Sequence, residues 1–490
     1  MSNRRIVAGY ELSACAAPEG ISSFQQVEER SNALANALLR RGVKPGAHLV
    51  TWLPNSSLLA ETFFALEKIG GVRVAVEWNE PAPKVVRIVS ALQATHVFVP
   101  AESVTIIRTL LPPATTVIAC GPWPLDTRHD NGVIPYDDLL QEGHPEFPGI
   151  EICEDNPIRV TVRMAAGDEM IQVTQSYRNA SAMLRLQLLL YGGGFFGPPL
   201  TGDEVYLHVQ QLMYGTGRMG LYPMFLSGFP QVILTRFHAP SALRAIEKHR
   251  VTTVFMVPGM VERIVQALDE GVYDISSLRR LLYGGAPLSR GSLLRATHRL
   301  GDAMIQVYGR HGAVWPVSVL TPIDHHRIQA GDDRLSSSCG RPLPLVEFRL
   351  ADHSGRMVEL GAVGEIQVRS DTVAAGYADE SGWCGTTDLA FQDEEGYLYI
   401  VGRTDDMINT GSYHVYPGEI EEVLRSHATV ADACVIGIPD PSWGEAVKAC
   451  VVLKPGQQPQ DELRQGLLLL CREMLSVQKV PKCLEFLESF

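Results

Sequence analysis

The chain has no long apolar run. Although 46% of its 490 residues are hydrophobic, no stretch reaches the roughly 18 apolar residues that read as a membrane span. The strongest candidate, residues 184–191, carries Arg185 and Gln187 and breaks at Gly192-Gly193-Gly194, which most simply ends a helix. No membrane span is therefore expected. The nine cysteines contain no C-x-x-C pair and are odd in number. That argues against a disulfide framework or a zinc site and for reduced thiols in a cytoplasmic location. The first residues, MSNRRIVAGYELSAC, have two arginines and no apolar segment behind them, so no secretory signal is visible. Positive charge is in deficit, with 42 Lys+Arg against 55 Asp+Glu and a formal net charge of -13. A phosphate backbone would be repelled, so no nucleic acid partner is expected. There is no internal repeat and no low-complexity tract.

What is present is a long alternation of short apolar strands and amphipathic helices. Val27, Leu34 and Leu38 share a helical face, closed by Arg40-Arg41-Gly42. Compact strands are expected at 48–53, 97–99, 117–119, 205–209, 232–234, 254–257 and 281–283, with helices at 242–249 and 261–268 among them. Such alternation predicts an α/β fold with largely parallel pairing. From Val346 short strands joined by tight turns take over, at 346–351, 364–369 and 397–401, and predict a β-rich subdomain. Polar Gly402-Arg403-Thr404-Asp405-Asp406 sits between apolar segments and is the expected boundary. Beyond it a helix at 417–426, strands at 433–438 and 446–453, and a helix at 460–474 form a small α+β unit. The expected division is a large α/β domain over 1–402 and a small α+β domain over 403–490.

The stretch 382–422, GWCGTTDLAFQDEEGYLYIVGRTDDMINTGSYHVYPGEIEE, resembles the interdomain hinge of the adenylate-forming acyl-CoA synthetases. The likeness covers nearly the whole chain. ERSNALANALLRRGVKPGAHLVTWLPNS is similar to the family's opening helix and strand. RVTTVFMVPGM and LLYGGAPLS look like the strands that wall its acyl pocket, and HATVADACVIGIPDPSWGEAVKACVVLKPG resembles its C-terminal domain. The resemblance implies two steps: ATP and a carboxylate give an acyl-adenylate, and a pantetheine thiol then displaces AMP. It assigns Tyr308, Asp388 and Arg403 to nucleotide or coenzyme A contacts and Asp405 to the hinge. It places Gly411 and Ser412 in a pantetheine tunnel, the serine standing where the family has a second glycine. It places Tyr214, where the family has histidine, with Gly284, Gly285, Ala286 and Gly309 in the acyl pocket.

Three departures bear on ATP. Phosphate binding wants a Gly/Ser/Thr-rich turn and a lysine. Between Asp155-Asn156-Pro157 and Arg178-Asn179 stands RMAAGDEMIQ, with Asp168-Glu169 opposing phosphate; it reads as an ordinary surface turn. The family's Tyr-Gly-x-Thr-Glu is Tyr308-Gly309-Arg310-His311-Gly312, and glycine offers Mg²⁺ no side-chain ligand. The chain stops at Phe490, before the loop holding the family's adenylate-forming lysine, so that lysine is expected to be absent. These departures lead to the expectation that ATP and Mg²⁺ are dispensable and that no metal is bound. On that reading an acyl or aryl group passes from a coenzyme A thioester to a carrier-protein pantetheine, with acyl-CoA and an acyl carrier protein as partners. His311 would be general base or nucleophile, or it fills space left by the Thr-Glu pair. Two alternatives stay open: an ATP-dependent acyl- or aryl-CoA ligase, and a non-catalytic scaffold. Among smaller signals, Cys339 and Cys384 read as packing thiols more than acyl carriers. Asp324-His325-His326 reads as a polar loop without the partners of a metal site. Gly215-x-Gly217-x-x-Gly220 reads as packing and turn glycines, since no acidic residue follows at the dinucleotide spacing.

Overall fold

The structure, a computed structural model, describes residues 5–8, 20–122, 132–164, 170–310, 312, 316–404, 406–410, 413–440 and 444–490. His311, Asp405, Gly411, Ser412 and the Asp168-Glu169 pair lie outside the described residues. The chain has the expected architecture, a large α/β part followed by a small α+β part. By packing it divides into two compact units, Met1–Val346 with Arg369–Gly382, and Glu347–Val368 with Trp383–Phe490.

The first unit is built on two sheets. In one, strands Val133–Pro135, Thr116–Cys120, His96–Pro100, His48–Thr51, Val72–Ala75 and Pro157–Met164 lie side by side in parallel. Met170–Ser176 closes that sheet as the antiparallel arm of a hairpin. Both faces of this sheet are covered, which is why its strands read as continuous apolar runs. Leu49, Phe98 and Ile118 face Leu34, Leu38, Phe63 and Leu66 of helices Phe24–Arg40 and Ser57–Lys68. Val50, Val74, Val97, Val99 and Val117 face Val85, Ile88 and Val89 of helix Ala82–Ala91 on the other side.

The second sheet of this unit runs Arg341–Pro342, Ser318–Leu320, Met304–Tyr308, Arg280–Gly284, Thr253–Met256, Tyr206–His208, Gln231–Ile233, Arg5–Ala8 and Gly20–Ser23. Its centre is parallel, and crossovers run through helices Ala239–His249, Pro258–Glu270 and Arg290–Leu300. Each strand expected in this region is present, displaced by a residue or two. Asp324-His325-His326 is not a loop. Thr321 and Asp324 form a reciprocal cap that opens helix Pro322–Gln329. His325 points inward, with Nε2 3.0 Å from the Tyr283 hydroxyl and Nδ1 2.7 Å from the Thr321 carbonyl. The polar residues of that run are a helix start, not a loop signal.

The second unit contains the antiparallel sheet Glu347–Ala351, Gly364–Arg369, Cys384–Gln392 and Leu398–Arg403. It also contains the sheet Tyr413–Val415, Ile408–Thr410, Gly444–Leu453 and Val430–Asp440, with Cys483–Leu487 pairing parallel to Gly444–Leu453. Ile420, Leu424, Leu467 and Cys471 from helices Pro417–Ser426 and Asp461–Met474 pack on Val435, Val447, Ala449 and Val451. Among the described residues no helix is long and apolar enough to cross a membrane.

Gly340 has φ +89°, and a Cβ there would lie 2.1 Å from the Val319 carbonyl carbon. Backbone cannot retreat as a side chain can, so Gly340→Ala should cost about 3 kcal/mol or more, read as a lowered urea midpoint; an unchanged midpoint refutes the contact. His96, His208 and His325 are buried, and burial lowers each pKa to about 4. The unfolded chain therefore binds more protons than the folded chain between about pH 6.5 and 4. Stability should be complete above about pH 6.5 and fall through that window, by on the order of 3 kcal/mol per histidine. Urea titrations from pH 7.5 down to 4.5 would show it, and a flat midpoint would count against it.

Candidate active site

Helix Tyr177–Gly192 begins with a reciprocal cap between Ser176 and Asn179. The same Asn179 sends its amide Nδ2 to the carbonyls of Asp371 and Val373, at 2.7 and 2.8 Å. One side chain thus starts the helix and fastens segment Arg369–Gly382 beside it. Ala374 N–H donates in turn to the Gly312 carbonyl at 2.9 Å. Gly312 has φ +86°, and a Cβ there would lie 2.8 Å from Tyr377 Cε1. The ring of Tyr377 therefore occupies the place a side chain at 312 would need.

Between this helix, the Pro157–Met164/Met170–Ser176 hairpin and the loop after strand Tyr206–His208 lies a cavity of about 300 Å³. Its apolar lining comes from Ile158, Ala180, Met183 and Leu184, and Gly215 and Gly312 supply backbone. Its polar lining combines Glu67, Arg159, Arg218 and Arg310 with Gln175, Tyr177, Ser181, Gln187 and Tyr222. A small recess lined by Arg73, Arg159 and Arg218 adjoins it.

The charges are organised around Glu67. Its Oε1 accepts from the Tyr222 hydroxyl at 2.6 Å and lies 3.2 Å from Arg73 Nη1, while its backbone carbonyl accepts from Tyr177 at 2.6 Å. Arg73 is 1% exposed and stacks 3.8 Å from the Phe63 ring centroid. Arg159 is held by Gln175 through Nε at 2.6 Å. Arg218 is held by the backbone carbonyls of Leu212, at 2.9 Å, and Met213. Burial and the neighbouring Arg73 lower the Arg159 pKa to about 10. Burial, then Arg159 and Arg73, lower that of Arg218 as well.

The sequence-derived pocket residues Tyr214, Gly284, Gly285, Ala286 and Gly309 are not among those lining the cavity; their neighbours Gly215 and Arg310 are. Tyr308 and Gly284 end adjacent-strand segments of the second sheet, and Gly285 follows with φ +93°. Cys339 and Cys384 are buried. Gly217 and Gly220 are packing glycines, a Cβ meeting the Gln211 carbonyl at 1.9 Å and the Tyr206 ring at 2.3 Å. Glu67, Arg73, Arg159 and Arg218 were not singled out from sequence. The available signal was a charged residue inside an apolar strand, as in VRVA and PIRVTV.

In the second unit Asp388 and Arg403 are register partners across two strands. Arg403 Nε lies 3.6 Å from Asp388 Oδ1, and its Nη2 donates to Thr387 Oγ1 at 3.3 Å. Thr387 has φ +62°, a strained conformation for a β-branched residue. It is held there by Glu365, which accepts from its N–H at 2.9 Å, and by Thr404, whose N–H donates to its carbonyl at 2.7 Å. Among the described residues no group of three or more His, Cys, Asp or Glu could hold a metal ion.

The chain is similar to the fatty acid–[acyl-carrier-protein] ligase ScoC of Streptomyces coeruleorubidus, 29% identical over 95% of this chain and 88% of that protein. It is also similar to the medium/long-chain-fatty-acid–CoA ligase FadD8 of Mycobacterium tuberculosis, 38% identical over 241 residues, 47% of this chain but only 41% of that protein. The amide bond synthetase McbA of Marinactinospora thermotolerans shares the fold with TM-score 0.82 and 27% identity, over all of this chain and 93% of that one. These relatives correct the expectation that ATP and Mg²⁺ are dispensable. The two curated relatives are ligases, and a ligase couples bond formation to cleavage of a nucleoside triphosphate. Residues 10–143 and 172–378 match the AMP-binding enzyme family and residues 419–490 match the AMP-binding enzyme C-terminal domain, so the chain belongs to the AMP-binding enzymes.

Proposed function

We propose that the protein is an ATP-dependent acyl ligase. It joins a carboxylic acid to AMP with release of pyrophosphate, then passes the acyl group to the thiol of coenzyme A or of a carrier-protein pantetheine, releasing AMP. The observation that carries this reading is the near full-length match to a ligase, 95% of this chain against 88% of the relative. The thioester-exchange reading without ATP gives way to it. Gly312 contributes no side-chain ligand, so Mg²⁺ enters as the MgATP substrate, held by phosphate oxygens and water, as this cation commonly is.

In this reading the cavity beside helix Tyr177–Gly192 receives the acid, and Asp388, paired with Arg403, accepts hydrogen bonds from a ribose diol. Tyr308 contacts the nucleotide, Asp405 is the hinge, and Gly411 and Ser412 line the path of the thiol. Residues 1–402 are the acid-activating part and 403–490 the lid. His311, which the resemblance sets at the threonine of the family's Tyr-Gly-x-Thr-Glu, is the candidate general base toward the incoming thiol.

Pyrophosphate release should depend on both MgATP and a carboxylic acid, and Asp388→Ala should lower kcat/KM for ATP by about tenfold or more. A coupled pyrophosphate assay across a panel of aliphatic and aromatic acids tests this. No acid-dependent pyrophosphate, together with acyl transfer from acyl-CoA to holo carrier protein without ATP, would refute the proposal.

A further inference from the structure

Among the described residues, Arg159 and Arg218 line the cavity beside helix Tyr177–Gly192 with one carboxylate, Glu67. Three guanidinium groups, those of Arg73, Arg159 and Arg218, meet at the recess that adjoins it. The carboxylate lining the cavity there, Glu67, is engaged by Arg73 and Tyr222. Arg159 and Arg218 bond to neutral groups, an amide oxygen and two backbone carbonyls. Among the described residues neither forms an ion pair. Arg218 is 7% exposed and Arg73 1%, and Arg73 Nη2, buried, has no hydrogen-bond partner among the described residues. Cations brought together out of water repel and lose hydration. Burial and mutual repulsion hold Arg159 and Arg218 below the ordinary guanidinium range.

From this geometry we infer that the cavity binds an acid with two anionic ends, the second being a carboxylate that lies against Arg159 and Arg218. A guanidinium fork fits a planar carboxylate with two parallel hydrogen bonds. The neighbouring walls are apolar: Ile158, Ala180, Met183 and Leu184. At about 300 Å³ the space is at the small end of ligand cavities. A short apolar spacer with an anionic terminus matches this combination of walls and floor. A long alkyl chain would leave the arginines without a counter-charge and bury them further.

This inference rests on the reading of the chain as an acid-activating ligase, so its test is a binding measurement that needs no turnover. Isothermal titration calorimetry on the full chain, without ATP, would compare glutarate, adipate and pimelate with hexanoate and monomethyl adipate. A parallel arm would use inorganic pyrophosphate, because arginines also accept phosphate. The dicarboxylates should bind roughly tenfold or more tighter than the monoanions. In Arg159→Gln and Arg218→Met that ratio should fall toward one. The melting temperature of each variant is measured beside the titration, and the ratio is read only where unfolding stays cooperative, so loss of the ratio is not loss of the fold. Equal binding of mono- and dicarboxylates, a ratio that survives both folded variants, or binding of pyrophosphate but of no dicarboxylate would overturn the inference. Absence of pyrophosphate release in the ligase assay beside a retained dicarboxylate preference would fault the proposed activity and leave this site standing.

Discussion

Arg280 has no exposed side-chain surface, and the parallel sheet of the first unit is arranged to neutralise it. Its Nη1 lies 3.0 Å from Glu204 Oε2 and 3.1 Å from Thr253 Oγ1, and its Nε donates to the Pro198 carbonyl at 3.1 Å. Thr252 Oγ1 donates to Glu204 at 2.5 Å and accepts from the Val205 N–H at 3.1 Å. Breaking such a buried pair by removing one partner costs about 3–5 kcal/mol, so the constraint is strong. The groups it joins stand at the starts of strands Tyr206–His208, Thr253–Met256 and Arg280–Gly284. The registers Tyr206↔Thr253 and Thr253↔Arg280 agree with that alignment. Fixing the starts of parallel strands also fixes their carboxyl ends, the side on which open α/β sheets bind ligands. Gly284 ends one of those strands, and Tyr308 ends the next.

A comparison of the two buried arginine sites shows why one is structural and the other is a candidate for binding. Around Arg280 charge closes: Glu204 answers it, and Thr253 and the Pro198 and Pro199 carbonyls take the remaining hydrogens. Around Arg73, Arg159 and Arg218 it does not close among the described residues, because Glu67 answers Arg73 while the other two face neutral oxygens. Arg73 and Arg218 are buried as Arg280 is, and Arg159 is half-buried. What differs is the count of carboxylates within reach, and that count is what decides whether a buried cation is satisfied by the fold or needs a ligand.

The strands were legible because both sheets of the first unit are largely buried on both sides. Runs such as those behind Val97–Val99 and Leu281–Tyr283 can then be apolar without alternation. Helix Pro417–Ser426 was legible to the residue because Pro417 can open a helix where no N–H is needed. The helix holding His325 was not. Polar Asp324 is there as a cap and His325 as a buried partner of Tyr283, and neither role shows in a hydropathy pattern. The cavity was not legible for a deeper reason. Arg73, Arg159 and Arg218 are far apart along the chain, each set in an otherwise ordinary strand or glycine-rich loop. Only the parallel pairing of Val72–Ala75 with Pro157–Met164 brings Arg73 and Arg159 to the same register, as Cα partners.

Gly312 shows how a motif departure can mislead about cofactors. Taken as a letter in the chain, a glycine in place of glutamate removes a magnesium ligand. In the fold, φ +86° and the Tyr377 ring 2.8 Å from a would-be Cβ mean that backbone and neighbour are both shaped to glycine. Segment Arg369–Gly382 is fastened against it by Ala374 and by Asn179. A side chain at 312 would meet the Tyr377 ring first. Mg²⁺ commonly keeps water and phosphate oxygens as its principal ligands, so one missing carboxylate carries little weight about whether MgATP binds. At the cavity, Gly312 contributes backbone and no charge to a lining that contains Glu67, Arg159 and Arg218.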